Sequence, residues 1–451
     1  MLGPQRIQAI TDHILARSPA DQTEVTVIAS DSALTRFANS AIHQNVAETD
    51  VEVRIRVVLA GDDGKRVGVT STHHLEESAL TGALERAVEI ARVQPRNPHF
   101  RSLPAPQPVK TVAAFEQATA DCTPEARAAG AGLICRLAGD AGVAGSGSFT
   151  TAAVEFTVAN SLGTRVYHVT SFAEIDTVIL SDTSAGHASA LARDVRDLDL
   201  EAVGREALAK CLDSQNPRPL EPGDYTVVLD PYATQDVVQM LAHTGLGAVA
   251  LQEGRSFMVG RLGEQIVDPR ISLWDDGLDP AGIPMPFDFE GVPKQRVDFI
   301  EQGVARGVVY DSYRAGREPG KQSTGHALPA PNPFGPMPIN TFLAPGDSTV
   351  EQMIAGTRRG LYITRFHYTR PVEPMRVVIT GMTRDGTFLI ENGEIAYPVQ
   401  NLRFTQSYLE ALNRVEAIGR ETKLLASWAL ARQSVPALKV GGFRFTGATT
   451  F

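Results

Sequence analysis

Residues 51–59, VEVRIRVVL, decide the fold class of this 451-residue chain, because apolar and charged side chains alternate along them. Successive side chains of a β-strand point to opposite faces of a sheet. Val53 and Ile55 are therefore predicted to face a core, and Arg54 and Arg56 to face solvent. A turn at residues 61–64 and a returning strand over residues 65–70 follow, which predicts an antiparallel pair.

A helix is predicted next, from about Leu75 to Val93, because its apolar residues recur on one face. Its predicted stripe comprises Leu80, Leu84, Ala87, Val88 and Ala91. Further helices are predicted over residues 124–137 and 198–212, and strands over residues 23–29, 153–158, 165–171 and 175–180. The expected fold class is α+β, with an N-terminal antiparallel sheet and helices before a strand-rich C-terminal domain with a few helices.

Proline-rich connections place the expected boundaries along the chain. We predict an N-terminal α+β domain over residues 1–110, a middle strand-rich segment over 111–216 that continues it, and a C-terminal domain over 217–451. In that last domain, the pattern predicts a strand at 225–229, a helix from Pro231 to about Ala250, a hairpin around Arg384-Asp385-Gly386, a helix over 408–425 and a final strand at 440–445. Six prolines between 329 and 345 predict a surface loop rather than a core element.

The net charge and the cysteine content limit which functions and cellular locations are expected. The formal net charge is −10, which disfavours a nucleic-acid partner because phosphate backbones are anionic. The three cysteines form no Cys-x-x-Cys pair, which favours a reducing compartment. The chain opens without an apolar signal core and contains no apolar run long enough to span a bilayer, so we expect a cytoplasmic protein without a membrane partner.

Common catalytic motifs are missing or weak. Residues 245–250, GLGAVA, satisfy a loose Gly-x-Gly-x-x-Ala pattern, but a predicted helix separates them from the preceding strand. A dinucleotide fingerprint directly follows a strand, so close helix packing is the favoured interpretation. The sequence has no Gly-x-x-x-x-Gly-Lys loop and no Gly-x-Ser-x-Gly elbow, which argues against the corresponding nucleotide-binding and hydrolase classes.

Several short stretches occur together in an order that carries a family resemblance. They are ANSLG at 159–163, GRLGE at 260–264, STGHA at 323–327, LAPGD at 343–347, GLYIT at 360–364, IENGEI at 390–395 and PV at 398–399. In this order they resemble the TldD/PmbA family of metalloproteases and their partner proteins. Each stretch is weak alone, and the shared order makes the match specific.

The resemblance implies a zinc site that this chain does not complete. Active members carry His-Glu-x-x-x-His on the helix and add a distant C-terminal cysteine. His243 matches the first histidine, whereas Thr244 replaces the glutamate and Ala248 replaces the second histidine. No cysteine follows Cys211, so one ligand position remains and the general base is lost.

Neighbouring carboxylates offer no simple substitute for the missing ligands. Asp236 lies seven residues before His243, which corresponds to about 10.5 Å along a helix axis. Glu253 lies ten residues beyond His243, two to three helical turns away unless the helix ends between them. We therefore expect no metal or other cofactor in this chain, and zinc in a catalytic partner.

Three functions stay open. The favoured one, on the TldE/PmbA-like side of the family, is a non-catalytic partner of a TldD-like catalytic subunit, in a hetero- or homodimer that binds an unfolded peptide by strand-like pairing. His243, Glu253, Arg255 and His326 would line the peptide groove, although each residue alone is equally consistent with local hydrogen bonding. The alternatives are an active metallopeptidase with substituted ligands and a non-enzymatic regulator that binds a protein target.

Overall fold

The computed structural model describes residues 1–427 and 430–449 and confirms the expected α+β class. The N-terminal half is a six-stranded antiparallel sheet with strand order β3-β2-β1-β4-β5-β6. Its strands are β1 (Gln22–Ala38), β2 (Ala41–Leu59), β3 (Arg66–Thr72), β4 (Ala144–Asn160), β5 (Arg165–Leu180) and β6 (Ala185–Ala192). Its helices are α1 (Pro4–Arg17), α2 (Glu77–Val93), α3 (Gln117–Ala120), α4 (Pro124–Asp140) and α5 (Leu200–Asp213).

The C-terminal half is an eleven-stranded mixed sheet, in which β7 pairs with β12, and β11 with β17, in parallel. Its strands are β7 (Asp224–Leu229), β8 (Leu273–Asp275), β9 (Val297–Glu301), β10 (Val304–Ala305), β11 (Asn340–Leu343), β12 (Arg359–Glu373), β13 (Val378–Glu391), β14 (Glu394–Pro398), β15 (Leu402–Ser407), β16 (Val415–Ala426) and β17 (Arg432–Ala448). Its helices are α6 (Pro231–Gly245), α7 (Ala248–Gln252), α8 (Ser312–Ala315), α9 (Val350–Ala355) and α10 (Tyr408–Leu412). Across the described ranges, no helix combines the length and apolar character needed to cross a bilayer.

Helices cover one face of the N-terminal sheet. The predicted stripe of α2 is buried against Val53 and Ile55 of β2, together with Ile7 and Ile14 of α1. Around β5, α4 and α5 bury a second cluster that includes Phe149. Strands from both sides of residue 110 belong to this one sheet, while the three-part division of the chain stays a prediction.

The other face of this sheet packs against the C-terminal half, which makes the prediction for Arg56 wrong. Arg56 is 8% exposed, and its guanidinium donates to Glu24 Oε2 at 2.7 Å and to Glu290 Oε1 at 3.1 Å. Phe156 and Phe287 stack across the same junction with ring centroids 5.1 Å apart. The alternation along β2 correctly predicts which side chains share a face of the sheet. The face that carries the charged side chains is covered by the C-terminal half and does not face solvent.

The prediction of a helix over 408–425 is correct only for the first turn and wrong for the residues that follow. Helix α10 ends at Leu412, and β16 begins at Val415 and pairs with β17 along its length. The apolar residues that suggested a helix are all buried, on α10 and then on β16. Long-range pairing with β17 therefore overrides the local three-residue spacing.

The hairpin predicted around Arg384-Asp385-Gly386 is instead a bulge inside the continuous strand β13. Asp385 adopts a φ of 59° and Gly386 a φ of 126°. Thr364 Oγ1 lies 3.0–3.1 Å from three consecutive backbone oxygens of this bulge. The turn lies further on, at Asn392-Gly393, between β13 and β14.

The proline-rich stretch at 329–345 also contains a core strand, contrary to expectation. All four residues of β11, Asn340–Leu343, are buried. This strand lies between β8 and β17, so its backbone groups are paired on both sides. Prolines flank the strand on both sides but do not interrupt it.

Candidate functional site

Helix α6 carries His243 near its C-terminal end. Asp230 caps the helix, and Pro231 occupies its first turn, where a missing backbone N–H costs no hydrogen bond. The helix ends at Gly245 and α7 begins at Ala248, so the single helix predicted to about Ala250 is divided in two. A Cβ at Gly245 would lie 2.4 Å from Phe257 Cδ1, which confirms the close-packing interpretation of this glycine.

The side chains beside His243 point into the protein. Thr244 is 3% exposed, and its hydroxyl donates to the Met240 carbonyl oxygen at 2.7 Å. Ala248 is completely buried, and its backbone N–H donates to Val309 O. Neither position presents a ligand or a proton acceptor beside the imidazole.

The side chain of His243 is exposed. Partial desolvation of the imidazole, reinforced by the nearby Arg255 guanidinium, lowers the pKa of His243 below its usual value. Arg255 and Glu253 form an ion pair of 2.7 Å with about half of each side chain exposed. His243, Arg255 and Glu253 are thus all exposed, with the imidazole near the charged pair.

His326 occupies a different environment from the other three predicted residues. It is 1% exposed, and its Nε2 lies 2.8 Å from Asp275 Oδ1. The other carboxylate oxygen of Asp275 accepts the backbone N–H groups of Ile339 and Asn340 at 2.8 and 2.7 Å. His326 therefore supports the start of β11 from within the core and does not reach a surface groove.

Two glutamines extend the face of α6 that carries His243. Gln235, Gln239 and His243 are four residues apart, which places them on one side of a helix. The end of β16 lies across this side, where Ser427 Oγ is 2.9 Å from Gln239 Oε1 and Gln235 donates to Ala426 O. The sequence interpretation missed both glutamines, although their four-residue spacing was available as a signal.

An apolar cavity of about 140 Å³ lies between the two halves of the chain, beside the start of β17. Its walls include Phe172 and Leu430. Arg432, also in the lining, holds its guanidinium carbon 5.2 Å from the Phe172 ring centroid. Leu430 and Ser427 both belong to the connection between β16 and β17, so this connection lines the cavity and also contacts Gln239 of α6.

Comparison with known protein families finds two family models that match this chain. A family model described as the PmbA/TldA metallopeptidase C-terminal domain matches residues 222–447, and a model for domain 1 matches residues 23–91. The chain belongs to the PmbA/TldD metallopeptidase family. The resemblance suggested by the ordered short motifs is thereby confirmed.

Relatives within the PmbA/TldD family are distant in sequence. The metalloprotease PmbA of Escherichia coli is 26% identical over 271 residues, 58% of this chain and 56% of the relative. A metalloprotease TldD homologue of Haemophilus influenzae is 26% identical over 240 residues, 51% of this chain and 48% of the relative. In these alignments the chain spans about half the length of the curated relatives it matches.

The solved structure of TldE from Thermococcus kodakarensis shares the fold. It matches with a TM-score of 0.86 at 20% identity, covering 98% of this chain and 99% of that one. At this identity the similarity concerns the fold.

The residues that this chain has at the positions of the PmbA/TldD zinc motif are not suited to hold a metal ion. At the motif positions, His243 is followed by a threonine whose hydroxyl is bonded to the helix backbone and by a buried alanine methyl. Within the part of the chain that the structure describes, no three His, Cys, Asp or Glu side chains are placed to hold a metal together. A single imidazole does not supply the three or four ligands that zinc requires in proteins.

Proposed function

We propose that this chain is the non-catalytic partner subunit of a heteromeric PmbA/TldD-type metalloprotease. The observation that carries the proposal is the pair of substitutions after His243, where the hydroxyl of Thr244 is used inside α6 and Ala248 is buried. A catalytic subunit of the same family, with its own intact zinc motif, would supply hydrolysis. This chain would contribute a wall of the substrate chamber.

The substrate we propose is an unfolded or extended peptide. The His243 face offers polar contacts, with Arg255 and Glu253 exposed for charged groups of the peptide. The apolar cavity beside the start of β17 has space for a small apolar side chain, and Phe172 and Leu430 line it. We leave His326 out of the proposed peptide contacts, because its side chain is buried.

The proposal is tested by purifying this chain alone and together with a family member that carries the intact motif. We expect substoichiometric zinc and no peptide cleavage for the lone chain. The complex should contain one zinc per catalytic subunit and cleave an unfolded, fluorophore-labelled peptide. Phe172→Ala in this chain should raise the KM of the complex for an apolar peptide, whereas the exposed-site control Arg205→Ala should not.

Two results would overturn the proposal. Stoichiometric zinc with cleavage by the lone chain would identify an active enzyme with substituted ligands. Failure to associate with motif-bearing family members would instead favour a regulator that binds another protein.

A further inference from the structure

Arg127, in the first turn of α4, is a buried cation that lacks a carboxylate partner. Its side chain is 1% exposed, and Nη1 donates to Cys122 O at 2.6 Å and to Thr151 Oγ1 at 3.2 Å. Nε is buried without a hydrogen-bond partner, and among the described residues no carboxylate forms an ion pair with the guanidinium. A buried charge is unfavourable unless an opposite charge accompanies it, so Arg127 calls for an anion.

Arg127 lines a cavity of about 260 Å³ between the N-terminal sheet and the start of α4. Thr119, Cys122 and Pro124 form one wall, and residues of β1, β2 and β4 form the floor. On that floor Ala47 is exposed and Ala33 is partly exposed, so a ligand can enter from solvent.

The strand register shows which side chains of the floor face Arg127. Thr151 lies opposite Ala33, and Ala33 lies opposite Ala47, so the three side chains project from the same face of the sheet. Phe149 lies two residues before Thr151 and packs on the α4 side, which identifies this face as the one that α4 covers. Arg127 therefore looks onto one hydroxyl group and two methyl groups.

The carboxylates around the cavity do not supply the missing anion. Asp31 shares the face, but it accepts from Thr49 Oγ1 at 2.7 Å and also pairs with the terminal amino group. Glu48 is one residue out of step with Ala47, so its side chain projects from the other face. Glu125 is exposed on α4, where water screens its charge.

The end of α4 adds a favourable potential but no further donors for a ligand. A helix N-terminus carries a partial positive charge, which favours anions nearby. Thr123 already accepts the backbone N–H of Ala126, and Pro124 has no N–H group. Recognition of an anion in this cavity thus depends on the guanidinium.

We infer that this cavity binds a small organic monocarboxylate with a short alkyl chain. The described hydrogen bonds of Arg127 all come from Nη1, which leaves Nη2 to donate to the carboxylate of the ligand. The alkyl chain lies over the methyl groups of Ala33 and Ala47. One guanidinium balances one negative charge, whereas a phosphate dianion would bring a second charge towards Asp31 without a cation to meet it.

This site goes beyond the proposed role as a partner subunit and does not depend on it. It lies in the N-terminal sheet, and it involves none of the residues around His243.

Thermal unfolding of the full chain with butyrate, butyramide and inorganic phosphate, at constant ionic strength, tests the inference. Butyrate should raise the unfolding midpoint along a saturable curve, because a ligand that binds the folded state stabilises it. Butyramide has nearly the same shape without the charge and should give no such curve. Arg127→Met should weaken butyrate binding by at least about tenfold, since a charged hydrogen-bond donor is lost.

A second pair of variants keeps the test decisive if Arg127→Met fails to fold. Ala33→Glu places a carboxylate opposite Thr151, within reach of Arg127, and Ala33→Gln fills the same space without a charge. The glutamate variant should unfold at a higher midpoint than the glutamine variant, and butyrate should no longer stabilise it.

Four results would overturn the inference. They are a butyrate response that butyramide reproduces, a butyrate response that persists in Arg127→Met, a saturable phosphate response that depends on Arg127 and exceeds that of butyrate, and equal midpoints for the two Ala33 variants.

Discussion

Replacing Arg56 with methionine tests the buried ion cluster that joins the two halves of the chain. Methionine retains much of the aliphatic bulk but leaves Glu24 and Glu290 without the guanidinium that both now contact. Those carboxylates are 3% and 6% exposed, so water replaces little of the lost interaction. Removing one partner of a buried ion pair costs about 3–5 kcal/mol of unfolding free energy, and we expect a loss in that range at pH 7.

The loss should depend on pH in a defined direction. Burial raises the pKa of Glu24 above its usual value of 4.5, and nearby Glu290 adds to the rise while Arg56 opposes it. Without Arg56 the pKa rises further, so the folded variant binds protons more readily than the unfolded chain. Its stability deficit is therefore largest above the folded pKa and shrinks as the pH falls towards 4.5.

Urea denaturation at pH 7 and pH 5 measures both effects. Arg205→Met provides the control, because the Arg205–Glu201 pair has side chains that are 65% and 55% exposed and should contribute at most about 1 kcal/mol. Adding Glu24→Gln and Glu290→Gln to Arg56→Met should restore part of the stability at pH 7. A loss below about 1 kcal/mol, or an equal deficit at both pH values, would refute the reasoning.

Three further outcomes follow from contacts made by residues of the C-terminal half. Tyr232→Phe removes a buried hydroxyl bonded to both backbone groups of a β6 residue, so thermal or urea unfolding should show a loss of about 1–3 kcal/mol. Gly245→Ala places a methyl group against Phe257, and the same measurement should show a loss of about 1–3 kcal/mol; an unchanged midpoint would contradict the packing. Arg255→Gln removes a nearby cation and should raise the pKa of His243 in an NMR titration, whereas an unchanged pKa would leave desolvation as the sole cause.

The sequence predicted the elements whose signals are local. Alternation along residues 51–59 placed Val53 and Ile55 in a core, and helical spacing placed Leu80 and Leu84 on the buried side of α2. The ordered short motifs were sufficient to indicate the family. The substitutions at Thr244 and Ala248, which carry the proposed function, are also visible in the sequence alone.

Tertiary structure decided what covers each face and which strands pair. Arg56 has the sequence pattern of a solvent-facing residue and His326 that of a loop residue, yet each is buried against a carboxylate far away along the chain. The segment after Leu412 has helical apolar spacing, but β17 pairs with it as a strand. Periodicity within one element specifies its two sides and not the layer that packs against them, because that layer comes from residues distant in sequence.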